Sequence, residues 1–137
     1  MEQNITDSSP KSEIILYQPN KTVSLEVRLD ADTVWLTQQQ MKELFNSSKQ
    51  NISLHINNIY KEGELDVQST VKEYLTVQKE GSRSIQRKVK YYNLDVIISV
   101  GYRVKSLQGT LFRQWANKIL KEYLLQGYSV NQRLQYV

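Results

Sequence analysis

The sequence predicts an α+β fold, a winged helix-turn-helix with an N-terminal β-hairpin ahead of it and two C-terminal helices behind it. Three observations carry that expectation. Residues 35–59, WLTQQQMKELFNSSKQNISLHINNI, hold two short amphipathic helical patterns parted by three polar residues, the spacing of a helix-turn-helix. Runs of period-two alternation stand on both sides of that segment, so strands flank the helices. A basic, β-prone hairpin comes directly after the second helix, which is where a wing belongs.

Residues 1–12 show no periodicity and read as a disordered tail, leaving 13–137 as a single domain. Ile14 to Tyr17 and Val23 to Leu29 are strand-like runs separated by Gln18-Pro19-Asn20-Lys21, a turn in which proline presets the bend. Val23, Leu25, Val27 and Leu29 alternate with polar residues, so that strand has one buried and one wet face. Thr33 to Leu36 predicts a short third strand, closing a hairpin region over 13–36.

The helix-turn-helix is expected over 37–62. Thr37 is an N-cap for a helix over Gln38 to Phe45, with Met41, Leu44 and Phe45 on its apolar face. After Asn46, either Ser47 or Ser48 can cap a second helix whose apolar positions are Ile52, Ile56 and Ile59. Its outward face then shows Lys49, Gln50, Asn51, Ser53, Leu54 and Asn57. Glutamine and asparagine can bind adenine through two hydrogen bonds, and serine can serve either base, so Gln50, Asn51, Ser53 and Asn57 are the expected base readers. Ser48, Lys49 and His55 are expected on phosphates. The bland alternative for the same residues is a helical hairpin with a solvated polar face.

Gly63 ends the second helix, and Lys61 in its last turn suits the helix dipole. Val71 to Gln78 and Ile85 to Tyr92 then form the wing hairpin, 70–92, around a loop at 79–84. Between Lys79 and Lys90 five cations face Glu80 alone, which adds Lys79, Arg83, Arg87 and Lys88 to the expected phosphate contacts. A lysine-protected edge strand would look similar. The C-terminal helices are expected over 93–127. Asn93 caps the first, on which Gly101 permits close packing, and Thr110 caps the second. Phe112, Trp115, Ala116, Ile119 and Tyr123 face inward there, widened by Leu111, Leu120 and Leu124, and Gly127 is the expected stop. So broad a stripe suggests either pairing of two copies through these helices or cover for the β-hairpins.

Charge is uneven along the chain. Residues 1–45 carry four basic and seven acidic side chains, whereas 46–137 carry fourteen and seven. A polyanion is therefore the expected partner of the second helix and of the chain beyond it. The 137 residues include no cysteine and one histidine, which leaves thiol catalysis, a cysteine-rich zinc site and a multi-histidine constellation without material. Glu62 and Glu64 read as surface charges in a turn, so neither enzymatic activity nor a cofactor or metal is expected. No apolar run approaches a membrane span and the N-terminus is not signal-like, so a cytoplasmic, nucleoid-associated protein is expected.

The segments EIILYQ, SLEVRLDADTVWLTQQQMKELF, SKQNISLHINNIYKEGEL, STVKEYLTVQKEG, RKVKYYNLDVIISVGYRVKS and FRQWANKILKEYLLQGY resemble, in order, the RhuM family of bacterial virulence-associated proteins, from about Glu13 to Leu134. More remotely, residues 91–120 are similar to the N-terminal DNA-binding module of phage antirepressors of the Bro and ORF6N type. The resemblance implies a bacterial, often mobile-element-associated DNA-binding domain, and names no mechanism of virulence. Family members are commonly longer, so a further C-terminal region or partner is expected. A Fic-type activity, found fused to some relatives, needs a His-Pro-Phe loop, and here His55 is followed by Ile56 and Asn57. The expected function is thus sequence-directed binding of double-stranded DNA in transcription regulation, with the second helix in the major groove and the basic wing on the backbone. An antirepressor-like protein-interaction module, binding through Trp115, Tyr123 and their neighbours, is the alternative.

Overall fold

The computed structural model describes residues 13–136 in backbone and 13–125 in side chain; the expected tail, 1–12, lies outside the described residues. Its elements are β1 (Glu13–Tyr17), β2 (Leu25–Asp30), β3 (Thr33–Leu36), α1 (Gln38–Phe45), α2 (Lys49–Lys61), α3 (Val67–Thr70), β4 (Val71–Glu80), β5 (Arg83–Asn93), α4 (Leu94–Arg103) and α5 (Leu107–Tyr136). The α+β class is as expected, with a five-stranded antiparallel sheet in the order β1-β2-β3-β5-β4.

Local chemistry fixes most boundaries. The β1–β2 connection turns on Asn20, whose Oδ1 accepts from the amides of Thr22 and Val23 at 2.8 and 2.9 Å; Pro19 only precedes it. Between β2 and β3, Ala31 and Asp32 both adopt left-handed backbone, a geometry that matches strand twist in a two-residue turn. Thr37 caps α1 in a capping box with Gln40, the two reciprocal bonds measuring 3.1 and 3.0 Å. Asn46 leaves α1 in the left-handed region, Ser48 caps α2 and Asn93 caps α4. Gly63, with φ of 76°, turns the chain out of α2.

Two expectations at the C-terminal helices are corrected. The last helix opens at Leu107, because Ser106 Oγ accepts from the Gln108 amide at 3.1 Å, and Thr110 lies inside the helix. Gly127 does not stop it either, since α5 runs on to Tyr136; one glycine costs a helix only about 1 kcal/mol. Leu111 and Leu124, which widen the apolar stripe, are exposed. The short α3 has no sequence signal beyond Asp66, which caps it.

Residues facing one another across antiparallel strands share a face. On one face Tyr17, Leu25, Val27, Leu29, Val34, Leu36 and Tyr92 are buried with Met41, Leu44, Phe45, Ile52, Ile56, Ile59, Ile97 and Phe112 of the helices. On the other face the sheet curls until β4 meets β2. Arg28 lies 4.0 Å over the Tyr74 ring and 5.1 Å from that of Tyr91, and the Tyr74 hydroxyl donates to Asp30. Burial, then the Asp30 contact, pushes the Tyr74 phenol well above its usual range.

The strand β3 meets β5 only at Trp35–Asn93 and Leu36–Tyr92. Beyond that contact, from Lys72–Tyr91 out to Glu80–Arg83, β4 and β5 have among the described residues only each other as strand partners, and they project as an arm. Its tip is the two-residue turn Gly81-Ser82, where φ of Gly81 is 68°. The expected loop at 79–84 is therefore mostly strand.

Candidate nucleic-acid interface

The isoleucines decide how α2 is presented. Ile52, Ile56 and Ile59 are fully buried, so the opposite face must look outward. It carries Gln50, Leu54, Asn57 and Lys61 as an exposed stripe at i, i+4, i+7 and i+11, and Leu54 is 54% exposed.

Two of the four expected base readers sit differently. Asn51 is half-buried, and its Nδ2 donates to Ser47 Oγ at 2.9 Å within the turn. Ser53 donates its hydroxyl to Gln38 Oε1 at 2.8 Å, and Gln38 Nε2 donates onward to the Tyr92 hydroxyl at 3.1 Å. That chain ties α2 through the start of α1 to the root of the arm. Gln50 and Asn57 remain outward-facing. Of the expected phosphate contacts on α2, Ser48 and Lys49 are exposed at its N-terminus and His55 is half-buried. Lys49 thus stands where the free amides of the helix start already favour an anion.

The arm divides its cations between two faces. Lys79, Lys88 and Lys90 share the helical side with Leu75 and Val77, whereas Arg83 and Arg87 point to the other. Lys79, Arg83 and Lys88 are exposed. Arg87 is paired with Glu80 at 2.6 Å, so among the described residues it is the one expected phosphate contact already holding a carboxylate. Between the arm and the start of α1 lies a cleft of about 580 Å³, lined by Thr37, Gln38, Gln39, Lys88, Lys90 and Tyr92 among others. Two lysines and a helix N-terminus on one cleft make it a place for an anionic oxygen.

Sequence reasoning alone misses Gln38, Lys61 and Lys90 at this surface. Lys61 is legible as the fourth step of the helical stripe, and Lys90 as the alternation partner of Lys88. Gln38 gives no local signal, because its partners are 15 and 54 residues away.

Away from this surface, Arg103 Nη2 donates to Glu62 Oε1 and Glu64 Oε1, each at 2.8 Å, and Ser99 Oγ donates to Glu64 Oε2 at 2.7 Å. The two glutamates therefore clamp α4 to the end of α2 rather than standing as isolated surface charges. Hydrogen bonds from Arg103 and then Ser99 hold the Glu64 carboxyl below its ordinary range. Trp115 packs on Tyr17 and Phe112, with ring centroids 4.8 and 5.6 Å away, so the inner stripe of α5 covers the N-terminal hairpin. Outside it, a groove of about 500 Å³ runs between α4 and α5 past Ile98, Tyr102, Lys105, Leu107 and Arg113.

Among the described residues no helix is long and apolar enough to cross a membrane. Residues 69–136 match the family model described as Virulence protein RhuM family, a stretch that takes in the arm, α4 and α5 and leaves α1 and α2 outside it. No curated protein and no solved structure matches the chain.

Proposed function

This chain belongs to the RhuM family, a membership that names no activity, and from its surface we propose that it is a sequence-directed double-stranded DNA-binding protein. The observation that carries the reading is the exposed stripe of α2 standing beside the basic arm, with the Ser53–Gln38–Tyr92 chain joining them. The path β3-α1-α2-β4-β5, with strands in the order β3-β5-β4, supports a winged reading in which the arm is the wing. In that reading α2 enters the major groove. Gln50 and Asn57 read base edges, Leu54 meets a thymine methyl, and Asn51 and Ser53 hold the reading helix in place while keeping acceptor capacity for a base. Lys49, Lys61, Lys88 and Lys90 contact phosphates on the helical side, and Lys79 and Arg83 meet the backbone near the tip. His55 and Ser48 complete the phosphate set at α2. A role in regulating transcription of bacterial or mobile-element genes, at the nucleoid, is part of the same proposal.

A mobility shift on duplex DNA across a salt series tests it. Binding should weaken steeply with salt, and Lys49→Ala combined with Arg83→Ala should weaken it further. Salt-insensitive behaviour, or no shift with the unaltered chain, sinks the proposal. A second reading is favoured by one observation, the α4–α5 groove with Tyr102 85% exposed on its rim: an antirepressor-like module that binds another regulator there. Under that reading Leu107→Glu abolishes partner binding and leaves the DNA shift unchanged.

A further inference from the structure

The strand β4 ends the sheet. Its ten residues, Val71–Glu80, have no strand partner on their outer side among the described residues. Long open edges invite pairing with another chain, and charges at chosen positions decide which pairings survive. Leu75 and Val77 are 54% and 66% exposed on this strand, an apolar pair on one face of an uncovered edge.

The turn determines which residues can bond outward. Glu80 and Arg83 flank the two-residue Gly81-Ser82 turn and form the closing hydrogen-bonded pair, so even-numbered residues of β4 bond inward to β5. Glu73, Leu75, Val77 and Lys79 therefore turn N–H and C=O outward. A second copy of β4, approaching antiparallel about a two-fold axis, must match outward residues with outward residues. The axis can then pass only through a residue, never between two.

Among those registers one matches every charge. With the axis at Thr76, Glu73 faces Lys79 of the second copy, Lys72 faces Glu80, and Leu75 faces Val77, each contact occurring twice by symmetry. An axis at Leu75 sets Glu73 against Val77 and Val71 against Lys79. An axis at Val77 sets Leu75 against Lys79 and Tyr74 against Glu80. An axis at Tyr74 sets Glu73 against Leu75. Within one chain Lys72 reaches Asp30 at 3.6 Å and Glu80 holds Arg87, whereas among the described residues Glu73 and Lys79 form no ion pair. We propose that two copies of this chain pair edge to edge through β4, antiparallel and centred on Thr76, making one ten-stranded sheet. About eight main-chain hydrogen bonds would close the seam. The seam shares Lys79 with the proposed DNA contacts but does not rest on them, and it is tested without DNA.

Sedimentation equilibrium of the whole chain over a concentration series should show a reversible monomer–dimer equilibrium. Glu73→Lys or Lys79→Glu alone should weaken it about tenfold, since each sets like charges opposite twice, and combining them should restore it to within about threefold. Leu75→Pro removes an outward N–H while sparing the inward ladder, and should leave a folded monomer by circular dichroism. The chain has no cysteine, so Thr76→Cys gives a single thiol. Facing residues at that non-hydrogen-bonded position stand about 4.5 Å apart between Cα atoms, within disulfide reach. Mild oxidation should cross-link Thr76→Cys and leave Gln78→Cys, whose position faces Tyr74 of the second copy, without a covalent cross-link. A chain that stays monomeric at its highest soluble concentration overturns the proposal. A dimer indifferent to the charge reversals, or lost on Leu107→Glu instead, also overturns it and puts the contact on the α4–α5 groove.

Discussion

Ser53 of α2 donates its hydroxyl to Gln38 Oε1 of α1 at 2.8 Å, and because Gln38 Nε2 is spent on the Tyr92 hydroxyl, the amide is fixed in orientation and can only accept from Ser53. Replacing Ser53 by alanine leaves a half-buried acceptor without its donor, a loss of about 1 kcal/mol. Urea unfolding should read that loss directly. Asn57→Ala, exposed on the neighbouring turn, should leave the midpoint unchanged. If Ser53 acts by holding α2, its alanine variant loses DNA affinity and stability together, whereas Asn57→Ala loses affinity alone.

The exposed stripe separates specificity from affinity. Gln50→Ala and Asn57→Ala should each relax base preference at one position of a selected site by about 1 to 3 kcal/mol, with an unaltered salt slope. Lys49→Ala and Lys88→Ala should instead weaken all duplexes alike and lower that slope by about one. Arg87→Ala should change it less, because Glu80 already neutralises the guanidinium at 2.6 Å. Competition titrations against selected and scrambled duplexes at three salt concentrations give both quantities. Equal effects of Arg87→Ala and Lys88→Ala on the slope would count against the assignment.

The sequence discloses chiefly those features that lie within a turn or two of chain. Thr37 and Asn93 each accept from an amide three residues on, and Gly63 takes the left-handed backbone just past Lys61; each sets a boundary found in the fold. The competition between Ser106 and Thr110 is less legible, because both suit an N-cap and the choice falls to the chain reversal at Val104 and Lys105, where Lys105 is left-handed. The interface is similar. Its outward stripe comes from the isoleucine period, but the removal of Asn51 and Ser53 from full exposure depends on Ser47 and on Gln38. Arg103 clamping Glu62 and Glu64 joins residues about forty apart in the chain, beyond any periodicity.

Acid should loosen that clamp. Glu64 has its folded-state pKa lowered, first by the Arg103 hydrogen bond and then by that of Ser99. A lowered carboxylate contributes stability that is complete above the ordinary glutamate range and is lost as pH falls through the depressed value. The Arg103 shift is upward, from Glu62 and then Glu64, and lies too far above neutrality to add a second transition. Because the Glu64 side chain is 42% exposed, the effect is small, about 2 °C of Tm at neutral pH. Glu64→Gln should therefore melt slightly below the unaltered chain at pH 7, and the two curves should converge below about pH 4. A constant gap across that range would mean that Glu64 acts through packing and not through its charge.

The crossing of α4 on α5 depends on two glycines. A Cβ at Gly101 would come within 3.1 and 3.2 Å of the Phe45 ring and 3.3 Å of Gly109 Cα, and a Cβ at Gly109 would meet Gly101 Cα and Phe45 at 3.3 Å. Alanine at position 101 gains about 1 kcal/mol of helix propensity. Against that, the ring belongs to a buried side chain and the facing atom is backbone, so neither moves without disturbing the core, and overpacking of this kind costs about 1 to 3 kcal/mol. Gly101→Ala should therefore destabilise on balance. Phe45→Leu shortens the offending ring at the cost of a cavity, so the double variant should be more stable than the two single losses added together. A favourable coupling of about 1 kcal/mol in urea unfolding is expected from contacts this short. Strict additivity would show that α4 and α5 can slide apart, and Gly101 would then be dispensable for the crossing.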